Sequence, residues 1–240
     1  MKVSVVIPTY NERENIKGLI PEISDVFEKN GINGNLIVID DSSPDGTARE
    51  VENLRERYPI VLIKRGQKLG IGSAYVTGFK KAMDLNSDII FEMDADFSHD
   101  PEYIPEFVKS LNNYDLVLGS RYIKGGEIEN WSLWRKMMSK GANILAKVLL
   151  GLKVNDITTG YRAYRKETLQ GIDLDKIKSN GYEFQAEILF RVVERGFGIK
   201  EIPIVFVDRR TGRSKLSKIE IINFFIFCIR TGIRRLFHLK

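Results

Sequence analysis

Short apolar runs rich in valine and isoleucine recur along this chain, each followed by a segment with apolar residues at helical spacing. The runs at 3–7, 36–39, 60–63, 89–93 and 116–118 read as strands, and the segments at 15–28, 45–57, 73–83 and 102–111 as helices. Near-continuous apolar strands joined by helices require a mostly parallel sheet covered on both faces, an α/β fold. Beyond residue 130 the pattern is less regular. Segments 131–150 and 183–195 read as helices, "TTGYRAYR" as a strand or bend, and "EIPIVFVD" as one more strand before a terminal helix. At 240 residues, with no repeat or long linker, the chain holds one large core.

In open α/β sheets ligands bind at the carboxyl ends of the strands. Here those ends carry "PTYNE", "DDSSPDG", "DAD" and "GSR". The stretch "EMDADFSHDP" sets Glu92, Asp94 and Asp96 at alternate positions after a buried-strand pattern. Two carboxylates about 6 Å apart at an effective dielectric near 20 repel by roughly 3 kcal/mol. A divalent cation removes the conflict, and hard oxygen ligands favour Mg2+ or Mn2+ completed by substrate phosphates. Asp94 and Asp96 are therefore the metal candidates. Of the acids after the second strand, Asp41 is assigned to nucleotide and Asp45 to capping the turn that follows.

Other readings are excluded or narrowed. "GQKLGIGS" lacks the lysine of a phosphate-binding P-loop, and Gly70-Ile71-Gly72 lacks the third glycine of a dinucleotide fingerprint, so this segment is a tight turn opening a helix. One cysteine and two histidines argue against a disulfide framework or a zinc centre, and His99 reads as a hydrogen-bonding residue of its turn. The net charge of +5 is dispersed among acids and no nucleic-acid-binding module is recognisable, so nucleic acid is not an expected partner. The N-terminal apolar run is too short for a signal peptide and no stretch is long enough to span a bilayer. "IEIINFFIFCI" is followed by Arg230, Arg234, Arg235 and Lys240, a pattern suited to the interface of an anionic membrane. The expected location is the cytoplasmic face of a membrane, held peripherally, or the cytoplasm.

The segments "VVIPTYNERENI", "VIDDSSPDGT", "MDADFSHDP", "GSRYIKGG", "DITTGYRAYR", "GYEFQAEI" and "PIVFVDRRTGRSK", in that order, resemble the family 2 glycosyltransferases with the GT-A fold. They look most like the dolichol- or polyprenyl-phosphate mannose synthases, and they cover nearly the whole chain. The resemblance implies a catalytic domain over 1–215 and an interfacial or docking helix over 216–240. It also implies metal-dependent transfer of mannose from GDP-mannose to a polyprenyl (dolichyl) phosphate, with inversion. Pro8, Tyr10, Glu12, Ile39 and Asp41 would hold the guanosine part. Asp94, Ala95 and Asp96 would meet the donor, with Mg2+ or Mn2+ on Asp96. Arg121, Arg209 and Lys215 would contact donor phosphates or the sugar. Arg135 and Ser139 would bind the acceptor phosphate with Arg121 and Arg209. Where some members carry a glutamine as an extra metal ligand, this chain has Ser98. Other members continue into transmembrane helices, so attachment here would rest on the terminal helix or on a small anchoring subunit.

The chemistry is consistent with that reading. A lipid monophosphate is largely dianionic at neutral pH and needs no general base, only cations to hold it beside an already anionic diphosphate. Arg121, Arg135, Arg209, Arg210, Arg213 and Lys215 supply candidates, since a guanidinium fork matches phosphate oxygens. Asp96, Arg121 and Arg209 are the expected catalytic residues. The alternative donor is UDP-glucose on the same lipid phosphate.

Overall fold

The structure is a computed structural model and describes residues 1–208 and 218–238. Arg209 and Lys215, along with Arg210 and Arg213, lie outside the described residues.

The first half follows the expected alternation. Strands β1 (Lys2–Thr9), β2 (Asn33–Asp40), β3 (Ile60–Lys64) and β4 (Ile89–Glu92) alternate with helices α1 (Arg13–Lys29), α2 (Thr47–Leu54) and α3 (Ile71–Asp84). A 3-10 turn (Pro101–Tyr103), α4 (Ile104–Ser110) and β5 (Leu116–Ser120) follow. The second half adds β6 (Glu127–Glu129), α5 (Leu133–Leu150), β7 (Arg162–Arg165), α6 (Lys166–Gly171) and α7 (Phe184–Glu194). It ends with β8 (Ile199–Pro203), β9 (Val205–Val207) and α8 (Lys218–His238).

Seven strands form one sheet in the order β3-β2-β1-β4-β7-β5-β8, parallel except for β7, which runs antiparallel to β4 and β5. "TTGYRAYR" thus supplies an internal strand. The single strand expected from "EIPIVFVD" is instead two. The chain leaves the main sheet after Pro203, and β9 pairs with β6 in a separate two-stranded ribbon. The last bond to β5 is from the Ile204 amide to Ser120 O at 3.1 Å, and Pro203, on this edge strand, faces its missing N–H away from β5.

Strand alternation divides the core into two layers. Val3, Val5 and Ile7 face α1 and α4, packing with Ile16, Leu19 and Phe107. Val6, Ile37 and Ile39 point the other way, towards α3 and α7, packing with Tyr75, Phe79 and Ile188. A Cβ on Gly78 would sit 2.2 Å from Val6 Cγ1, so α3 lies on β1 at a distance only glycine allows. Helix α8 adds Phe224 and Cys228 to this second layer. In register Thr9 stands beside Asp40 and Val6 beside Glu92, which brings the carboxyl ends of β1, β2 and β4 to one edge.

Candidate active site

At the edge formed by β1 and β2, Tyr10 lies beneath the Lys68 ammonium, 4.3 Å from the ring centroid. Glu12 accepts from Asn15 Nδ2 at 2.7 Å, while its own amide donates to Thr47 Oγ1 at 3.1 Å. Pro8 and Ile39 are paired in register, and the buried Ile39 offers a ligand only its backbone. Asp41 is nine-tenths buried and committed within the protein: Arg65 pairs with one carboxylate oxygen, and the Leu69 amide donates to the other at 3.3 Å. Arg65 also donates to Ser73 Oγ and Gly70 O, so this pair pins the 65–70 loop that opens α3. Asp41 thus fixes the 65–70 loop against the end of β2, and Lys68, on that loop, is a cation that sequence patterning alone did not single out. Asp45 caps α2 by accepting from the Thr47 amide and hydroxyl.

The carboxylates after β4 separate into two environments. Glu92 is fully buried and accepts from Tyr164 Oη at 2.8 Å. Burial pushes its pKa up to about 7 against the opposing pull of Arg162. Asp94 instead keeps a third of its side chain exposed, with Oδ1 accepting from Tyr75 Oη at 3.0 Å. Ala95 is buried between Asp94 and Asp96. Asp96 Oδ1 accepts from both the amide and the hydroxyl of Ser98, the latter at 2.6 Å, so Ser98 is turned onto the carboxylate. His99 is buried, its ring stacked on Tyr161 at 4.8 Å, and its Nδ1 accepts from the Asp94 amide. Burial holds its pKa below the usual histidine value, so the neutral ring carries its hydrogen on Nε2, 3.9 Å from Asp94 Oδ2. It braces the turn, as its sequence context suggested.

The cationic side is built on β5 and α5. Arg121 is buried and bidentate to Asp156, with Nε and Nη2 each 2.7 Å from a carboxylate oxygen. Burial opposes its charge, but Asp156 outweighs that and raises its pKa. Nη2 also donates to Thr158 Oγ1 at 2.9 Å. Three aromatic rings surround the guanidinium, with Tyr122, Trp131 and Phe206 centroids 5.2 to 5.6 Å from its carbon. Arg135 lies 3.9 Å over the same Trp131 ring and donates to Asp208 at 2.7 Å. Ser139, one turn further along α5, accepts from Tyr122 Oη at 2.7 Å. Asn143, another turn on, ties α5 to the 156–158 segment. Its Oδ1 accepts from the Ile157 and Thr158 amides, and its Nδ2 donates to Thr158 Oγ1. The structure therefore gathers Arg121 and Arg135 around Trp131, with Ser139 joined to Arg121 through Tyr122. Phe206 packs edge-on against both Trp131 and His99, which links this cluster to the carboxylate turn.

The residues present fit a divalent cation. Among the described residues no group of three acidic, histidine or cysteine side chains could enclose a metal, leaving the Asp94 and Asp96 carboxylates. Two hard carboxylates with the remaining positions left to water and diphosphate oxygens is the donor set magnesium prefers.

Carboxylates at the end of β4, joined through Phe206 to a buried arginine, on a mostly parallel α/β sheet, are the arrangement of a GT-A glycosyltransferase fold. The Glycosyl transferase family 2 model matches residues 4–172, and the chain belongs to that family. An undecaprenyl-phosphate mannosyltransferase of Micrococcus luteus is 42% identical over 218 residues, covering 90% of this chain and 88% of its own. A polyprenol monophosphomannose synthase of Mycolicibacterium smegmatis is 39% identical over 233 residues, covering 96% and 86%. Among solved structures, glucosyl-3-phosphoglycerate synthase of Mycobacterium tuberculosis with Mn2+, UDP-glucose and phosphoglyceric acid superposes with a TM-score of 0.68. Its 21% identity, over 98% of this chain and 79% of that one, shows a shared fold.

Proposed function

We propose that this glycosyltransferase moves mannose from GDP-mannose to a polyprenyl phosphate, inverting the configuration at C1. The observation that carries the reading is the linked pair of clusters: carboxylates at the end of β4, and Arg121 and Arg135 around Trp131 with Ser139 held by Tyr122. The names of the two relatives near 40% identity support both the sugar and the lipid phosphate.

In the proposed reaction an oxygen of the acceptor phosphate attacks C1 of the sugar. The bond from C1 to the diphosphate oxygen breaks, and its electron pair leaves with GDP. Asp94 and Asp96 would hold Mg2+ or Mn2+, which would supply positive charge to neutralise the departing diphosphate. Arg135 and Ser139 orient the acceptor phosphate behind C1, and Arg121 adds a positive field from its buried position. Tyr10, Glu12 and Lys68 contact the nucleotide; Arg209 and Lys215, outside the described residues, are assigned to the donor by the motif resemblance alone. No proton need be removed from a phosphate dianion, in keeping with a neutral, buried His99. The acceptor's lipid makes a membrane surface the working environment. No helix among the described residues is long and apolar enough to cross a membrane; α8, apolar and carrying arginines in its second half, is the proposed contact with the membrane surface, with or without a small anchoring subunit.

Comparing turnover of GDP-mannose and UDP-glucose, with Mg2+ and a short-chain polyprenyl phosphate, tests the donor assignment. Turnover of GDP-mannose at least about a hundredfold faster is expected, as for a site with hydrogen bonds built for one base and sugar. Turnover of UDP-glucose with GDP-mannose inert would overturn the donor assignment.

A further inference from the structure

Gln185 is a buried amide that the reaction described above leaves unused. It is 8% exposed, and its Oε1 has no hydrogen-bond partner among the described residues. It stands in the first turn of α7, between Phe184 and Ala186, both fully buried. Its carbonyl oxygen accepts from the buried Arg162 at 2.9 Å. Its side-chain amide favours the charged form of Glu92, which places it beside that carboxylate. An amide held from its backbone, its helix and a neighbouring strand is fixed in place, and a buried polar atom of it left unpaired calls for an explanation.

The register of the sheet decides what Gln185 borders. Strand β7 runs antiparallel to β4 with Arg162 opposite Glu92, and the same register carried two residues further sets Gly160 opposite Asp94. A Cβ on Gly160 would meet Asp94 Oδ2 and Gln185 Nε2, each at 3.6 Å, and His99 Cε1 at 3.5 Å. Three side chains thus converge on a space that would take one methyl group or one hydroxyl. Gly160 is half-buried and Asp94 keeps a third of its side chain exposed, so this space opens to solvent.

The two polar groups around the space complement one kind of ligand. The Asp94 carboxylate only accepts, whereas Gln185 Nε2 carries two hydrogens, of which Glu92 can take one. A group between them must donate to one and accept from the other, as a hydroxyl does. An anion would be repelled by Asp94, and an ammonium would have nothing to offer the amide N–H. A carboxylate has about four lone-pair sites, so Asp94 can serve a cation and a hydroxyl together.

We propose that Gln185 is a specificity-determining residue, whose amide, with Asp94, holds one hydroxyl of the transferred sugar in the space that Gly160 leaves open. The inference rests on the nucleotide-sugar donor assigned above. Gly160 and Gln185 come from "DITTGYRAYR" and "GYEFQAEI", segments that stand apart from the strand ends carrying the other donor contacts.

The test is turnover of GDP-mannose and of its analogues lacking one sugar hydroxyl each, with Mg2+ and a short-chain polyprenyl phosphate, by wild type, Gln185→Leu and Gly160→Ala. Calorimetric binding of GDP with Mg2+ reports the nucleotide end separately. Gly160 is not among the positive-φ residues and its Cβ would make ordinary contacts, so Gly160→Ala should keep the wild-type melting temperature even where Gln185→Leu does not. Wild type is expected to lose about a hundredfold in kcat/KM with one of the analogues. In both variants kcat/KM for GDP-mannose should fall about thirtyfold or more, and the penalty for that same analogue should shrink to within about threefold, since a lost contact cannot be lost twice. GDP affinity should stay within about twofold of wild type, because the contact is to the sugar. Analogue penalties that are the same in wild type and both variants would overturn the proposal, since the amide would then serve only the fold. So would GDP affinity falling in step with turnover, which would put the effect at the nucleotide or the cation. If GDP-mannose is inert and UDP-glucose reacts, it is the donor assignment that fails, and the same series built on UDP-glucose decides the role of Gln185 by the same criterion.

Discussion

Arg121 and Asp156 show how a buried charge is kept available at a phosphate site. Asp156 receives the Arg121 amide as well as its guanidinium, and its own amide donates to Glu201 on β8. Removing one partner of a buried, hydrogen-bonded ion pair leaves the other charge uncompensated and costs about 3–5 kcal/mol. Asp156→Asn is therefore expected to lower the melting temperature by roughly 6–20 °C. The double variant Arg121→Met, Asp156→Leu should recover much of that stability while remaining catalytically poor. Thermal unfolding of the three chains checks this, and wild-type stability in Asp156→Asn would mean the pair anchors nothing. None of it was legible beforehand. Arg121 stood out from its motif, but its partner lies 35 residues on in "DITTG", and a pairing across that distance leaves no local pattern. Asp41 was legible as a strand-end acid, and its commitment to Arg65 was not, for the same reason.

At the scale of elements, the strands of the main sheet were readable because parallel strands buried on both faces leave unbroken apolar runs. The ribbon of β6 and β9 was not. Glu127–Glu129 holds a single apolar residue between two glutamates, too little for any period to register. The terminal helix was legible as apolar, but its inward face was not. Cys228 on that face is fully buried, and burial pushes its thiol up to about 12. A thiol pKa raised in the folded state means the native chain holds its proton between about pH 9 and 12, where an unfolded thiol loses it. Stability therefore declines as pH rises through that window. At about pH 8.5, alkylation of Cys228 by iodoacetamide is expected to be orders of magnitude slower than for a free thiol, and to match it only after unfolding. Labelling at the free-thiol rate in the native protein would show that α8 does not pack as described.

For the molecule as a whole, the strand order explains why two clusters of opposite charge meet. Strands β1, β2 and β4 bring the acids to one edge of the sheet. The antiparallel β7 lets β5 enter beside it, so that Arg121 emerges near the turn held by His99. If the Asp94 and Asp96 carboxylates serve a metal-dependent transfer from a nucleotide sugar to a lipid phosphate, turnover needs the metal, the lipid phosphate and Asp96 together. The most direct measurement is release of GDP from GDP-mannose with Mg2+ or Mn2+, with and without a short polyprenyl phosphate, by wild type and by Asp96→Ala. Release should require both metal and lipid phosphate and should fall about a thousandfold in the variant, as expected if roughly 4 kcal/mol of charge stabilisation is lost. Release that persists undiminished in Asp96→Ala, or with the metal chelated, would contradict it.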